Sequence, residues 1–180
     1  LVPQRALARA AMITAIASAS ASVALAAIAL PEPETLLLGR WIVVDAAGGL
    51  LVGVIGIIGL TSTLVSPQVL GHVRGSLFQP HRAGRAYWVT LFAFWTVLLA
   101  VPLAGNLGAA WLAIEATTAA SALLVGFSGR PRALEAGWKY LILTSLCLGF
   151  ALLGIVLLAS VTTVGALDAL SWASLADTVP

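Results

Sequence analysis

Glu115 and Lys139 are the two side chains whose chemistry the rest of the chain does not explain. Glu115 stands in the middle of the apolar stretch from Leu107 to Phe127, and Lys139, the only lysine, stands inside the next one. A charged group at the centre of a membrane helix costs roughly 2.5–3.5 kcal/mol on insertion scales, so proton or ion handling is its default reading. On a helix, the face around Glu115 carries Trp111 and Leu112 below it and Thr118, Ala119, Ala122 and Gly126 beyond it. The latter half is small and partly polar, which suits close helix contact or ordered water; a lipid-facing stripe would be bulky and aliphatic. The bland alternative for Glu115 is a structural acid paired permanently with a neighbouring helix.

Lys139 can be read as a functional cation or, equally, as a bland one. Glu135 stands one helical turn before it, in the Glu-then-Lys order that stabilises a local pair. The side chain also lies only about 8 Å inside Leu134, close enough to snorkel to the interface. Glu115 lies about 18 Å inside Phe127 on the preceding helix, which leaves an axial gap of about 10 Å between acid and base. With an effective dielectric near 20, the attraction across that gap is roughly 1.7 kcal/mol, enough to couple two proton equilibria without locking a salt bridge. The expectation is therefore that Glu115 is the titrating acid and Lys139 its coupled cation, with Glu135, Thr118, Ser121 and Trp111 in support.

The elements that must hold these residues are membrane helices. The chain is 61% hydrophobic and 9% charged, with a mean hydropathy of +1.06, whereas soluble domains carry about 25% charge. Five apolar runs are long enough to cross hydrocarbon: about 10–30, 42–65, 86–104, 107–127 and 134–159. Each must be helical, because an isolated strand in lipid leaves its backbone polar groups unsatisfied. The expected fold is an all-α polytopic transmembrane bundle forming a single membrane domain over residues 1–180. The first run follows Arg5 and Arg9 like a signal peptide, but its apolar part is too long, and Pro31, Glu32, Pro33 and Glu34 make a poor cleavage site, so it reads as a retained helix. The second run carries Gly48, Gly49, Gly53, Gly56 and Gly59, a spacing that lets helix backbones approach closely. Pro102 and the Gly105-Asn106 turn close an antiparallel hairpin between the third and fourth runs.

Arg5, Arg9, Arg74, Arg82, Arg85, Arg130 and Arg132 fall on one side of this arrangement, against Arg40 on the other, which places the N-terminus in the cytoplasm. The formal charge of +2 reflects that asymmetry, and no nucleic-acid site is indicated. The long connection from Ser66 to Arg85 holds His72 and His81 without a cysteine or carboxylate at metal-site spacing, so neither is assigned a role. Cys147, the single cysteine, reads as packing. Trp41, Tyr87, Trp88, Trp138 and Tyr140 near the span ends read as an interfacial belt. There is no phosphate loop, cysteine cluster or nucleophilic triad, and no cofactor or metal is expected.

From Trp111 onward the sequence resembles the proton-translocating antiporter-like subunits of respiratory complex I, Mrp-type cation/proton antiporters and group 4 hydrogenases, most nearly hydrogenase-4 component F. The likeness rests on Trp111, Glu115 to Thr118, Ser121 to Val125, Ala133 to Ala136 and Trp138 to Ile142, with Asn106-Leu107-Gly108 before them and Leu170-Ser171-Trp172 after. It implies that Glu115 corresponds to the family's buried glutamate on its fifth helix and Lys139 to a lysine on the sixth. It also implies lipid, other membrane subunits and protons or cations as partners, in a bacterial-type inner membrane. The family's broken helices and their central lysine or histidine have no counterpart here, so the chain is expected to equal helices two to six, as a fragment or a truncated relative. Two other readings stand beside proton translocation: a non-conducting structural module that docks partner subunits, and part of a cation/proton antiporter or inorganic-carbon uptake complex.

Overall fold

A computed structural model of the chain describes residues 4–31, 35–36, 41–72, 80–161, 170–172 and 174–175. Five helices dominate it: α1 (Gln4–Ala29), α2 (Ala46–His72), α3 (Pro80–Ala100), α4 (Leu107–Gly126) and α5 (Pro131–Val161). All five are long and apolar enough to cross a membrane. A two-residue antiparallel ladder, β1 (Thr35–Leu36) with β2 (Val43–Val44), lies between α1 and α2, and a 3-10 turn at Val101–Leu103 leads from α3 toward α4.

Lipid offers no hydrophobic drive between helices, so close van der Waals packing of small residues has to hold the bundle together. α1 and α2 show this most fully. Ala15, Ala19, Ser22, Ala26 and Ala29 are buried along one stripe of α1. Gly49 of α2 faces Ala29, Gly53 faces Ala26 and Gly56 faces Ser22, so the two helices run antiparallel. Of the Ala-Ser run from Ala17 to Ser22, only Ala19 and Ser22 are buried in this contact face. At Gly59 the partner changes: the indole of Trp95 on α3 lies directly over the glycine, leaving no room for a Cβ. One level further along α2, Ser66 and the hydroxyl of Tyr87 lie 2.9 Å apart, and Tyr87 packs edge-on against Phe127 at the end of α4.

These contacts revise two sequence expectations. α2 runs through Pro67 to His72, and α3 begins at Pro80, so His72 and His81 fall on helix ends; residues 73–79, including Arg74, lie outside the described residues. Tyr87 and Trp88 are packing residues and not part of a belt: Trp88 is buried, and Tyr87 is engaged by α2 and α4. Trp41, Trp138 and Trp172 remain exposed.

The end of the bundle opposite the arginines is tied together by backbone pairing. Gly105 N–H donates to the Trp41 carbonyl at 2.8 Å, Leu107 N–H to the Leu170 carbonyl at 2.9 Å, and the Trp172 indole to the Ala104 carbonyl at 2.7 Å. Asn106 caps α4 by accepting from Ala109 N–H at 2.8 Å. At the other end, Gly129 turns the chain from α4 into α5 with φ 67°, a left-handed conformation that glycine adopts without penalty. Pro131 then opens α5 at a position where its missing N–H does no harm.

Candidate functional site

The α4–α5 pair is antiparallel, and its register brings Glu115 to the contact face. Trp111 donates its indole N–H to the Leu148 carbonyl at 2.7 Å. One turn on, Ser145 donates its hydroxyl to Oε1 of Glu115 at 2.6 Å. Further toward the Gly129 turn, the Ser121 hydroxyl lies 3.2 Å from that of Tyr140, and Gly137 admits the backbone of α4 so closely that a Cβ there would sit 3.1 Å from the Ala122 carbonyl. Glu115 is thus held inside the helix pair by a neutral donor.

Its second oxygen is in a different state. Oε2 is buried and has no hydrogen-bond partner among the described residues. A buried carboxylate oxygen without a donor is costly. The carboxyl group therefore presents one oxygen held by Ser145 and one buried without a partner among the described residues.

The remaining sequence-derived residues divide around this centre. Thr118 is buried beside Glu115 but returns its hydroxyl to the Ile114 carbonyl at 3.1 Å, and Ser121 donates to the Thr118 carbonyl at 2.9 Å. Trp111 bridges to Leu148 on the side of Glu115 away from the arginines, whereas the Ser121 and Tyr140 hydroxyls and Gly137 lie toward Gly129. A groove of about 210 Å³ opens there beside Ala119, Ala122, Gly126, Leu134, Gly137 and Leu141, and its lining is almost wholly apolar.

Lys139 is not brought to Glu115. It forms an ion pair with Glu135 one turn earlier on α5, and both side chains are largely exposed, at 67% and 61%. At 100° per residue, Lys139 lies about 120° around α5 from Ser145 and about 9 Å along it, so it points away from α4. Depth along the helices would allow the two groups to couple; rotation about α5 is what separates them. The residue that the sequence reading missed is Ser145. The signal was slight: Thr144 and Ser145 are the only neighbouring hydroxyls within the apolar run of α5.

Residues 104–178 match the family of transmembrane subunits described as NADH:quinone oxidoreductase/Mrp antiporter. The matched segment belongs to that family. The antiporter-like chain is also 30% identical, over 144 residues and 76% of its own length, to a hydrogenase-4 component F homolog of Methylacidiphilum infernorum (isolate V4). It spans 29% of that relative's length. No solved structure matches it. Both Glu115 and Ser145 fall within the matched segment, so the candidate site of the antiporter-like chain lies in the part that carries the family likeness.

Proposed function

We propose that this chain is part of a proton-translocating subunit of a respiratory or hydrogenase-type membrane complex, and that Glu115 is the acid that takes up and releases the proton. The observation that carries this reading is the buried, unpartnered Oε2 of a carboxyl group at mid-membrane depth. Access runs toward the end where Arg9, Arg85, Arg130 and Arg132 gather, because the hydroxyls of Thr118, Ser121 and Tyr140 lie on that side of Glu115. By the positive-inside rule that end is cytoplasmic, in a bacterial-type inner membrane. The Glu135–Lys139 pair enters the reading as a charge pair on the outward face of α5, separate from the Glu115 centre.

A structural module that docks partner subunits without conducting is favoured by one observation, the apolar lining of the groove beside the seam. A Glu115→Gln variant in the assembled complex separates the two. Proton exchange at Glu115 requires translocation to fall while partner subunits still co-purify; a docking role leaves both intact. A cation/proton antiporter or inorganic-carbon uptake setting retains the same Glu115 chemistry and differs in the ion driven by the assembly.

A further inference from the structure

Hydroxyls in these helices nearly all return to their own backbone. Thr14, Ser22, Thr63, Ser66, Thr90 and Thr96 each donate to the carbonyl four residues earlier, the usual arrangement in an apolar medium that offers no other acceptor. Ser145 differs from these in giving its hydroxyl to the carboxyl group of another helix. Among the described residues no second charged side chain is bonded to that carboxyl. α4 carries no other ionisable side chain between Leu107 and Gly126, and the charged residues of α3 are confined to its first turns, at Arg82 and Arg85. On α5, Glu135 and Lys139 pair with each other on the outward face, and Arg132 sits at its start.

We infer that Ser145 is a positioning residue for Glu115: by donating to Oε1 it fixes the carboxyl plane and assigns the exchanging proton to Oε2. The inference rests on proton exchange at Glu115 and adds to it which oxygen carries the proton and what enforces the choice. When Glu115 is neutral, Oε2 bears the hydrogen and Oε1 becomes the carbonyl oxygen, still accepting from Ser145. When Glu115 is ionised, the same donor meets a charged oxygen and the bond strengthens. The geometry around the carboxyl is therefore the same in both states, and only the Oε2 side changes.

The test is infrared difference spectroscopy of the assembled membrane complex across the protonation change, with the Glu115 carbonyl band assigned by its loss in Glu115→Gln. A hydrogen bond to a carbonyl oxygen lowers its stretching frequency, so Ser145→Ala should move the band to higher frequency and Ser145→Thr, which keeps the donor, should leave it in place. Translocation should fall about tenfold in Ser145→Ala, the scale of one hydrogen bond to a charged group, and recover in Ser145→Thr. A Glu115 band at the same frequency in Ser145→Ala overturns the role of Ser145 while leaving proton exchange standing. Absence of any Glu115-dependent band overturns both.

Discussion

The Ser145 hydroxyl and Oε1 of Glu115 meet at 2.6 Å across the α4–α5 interface, in a register that the Trp111 indole on Leu148 also holds. An acid that would otherwise be isolated in a membrane helix is thereby fixed by one oxygen, and its other oxygen is buried and unpartnered.

Because Lys139 is committed to Glu135, it should be energetically independent of Glu115. In a double-mutant cycle on translocation or stability, Glu115→Gln and Lys139→Ala should add to within about 0.5 kcal/mol, as separated sites do. Glu135→Gln and Lys139→Ala should not add. Strong coupling between Glu115 and Lys139 would mean that the two approach each other in the working assembly.

Removing the indole donor of Trp111 with Trp111→Phe keeps an aromatic ring and loses one hydrogen bond to Leu148. The expected destabilisation is about 1 kcal/mol, measured by denaturant titration in detergent. No change would show that the seam does not depend on this contact.

Much of this architecture is legible in the sequence, and the limits have physical causes. Hydropathy and length locate the five spans, because lipid leaves a helix no alternative, and Glu115 is visible as a lone acid in one of them. The glycines of α2 announce a close neighbour, and the neighbour is α1, whose contact face is a stripe of small residues at Ala15, Ala19, Ser22, Ala26 and Ala29. Ser145 is not legible as a partner of Glu115, since that pairing depends on the relative rotation and register of two helices. The Glu135–Lys139 pair is legible from its i,i+4 spacing, whereas the separation of Lys139 from Glu115 is not: depth can be counted from sequence, but direction around the axis depends on which face α5 turns to α4. The ties from Trp41, Leu170 and Trp172 to the α3–α4 turn are tertiary and leave no local pattern.

Gly59 should tolerate no side chain, because the indole of Trp95 occupies the space a Cβ would need. Gly59→Ala should cost about 1–3 kcal/mol, the range for overpacking. In the background of Trp95→Leu the same change should cost much less, which a double-mutant cycle on unfolding would reveal. Equal costs in both backgrounds would mean that the contact does not limit packing.

At the α4–α5 turn, Gly129→Ala places a Cβ on a backbone at φ 67°. The expected loss is about 1–2 kcal/mol, with Gly129→Asn intermediate because asparagine visits this region more readily. Thermal denaturation of the three proteins would rank them, and an alanine variant as stable as the parent would show that the turn is made differently.

The most direct test of proton exchange at Glu115 is the number of protons moved per turnover by the reconstituted complex carrying Glu115→Gln, normalised to complex that retains all its subunits. A fall to near zero with assembly unchanged is the expected result. Undiminished translocation by a fully assembled Glu115→Gln complex would contradict it.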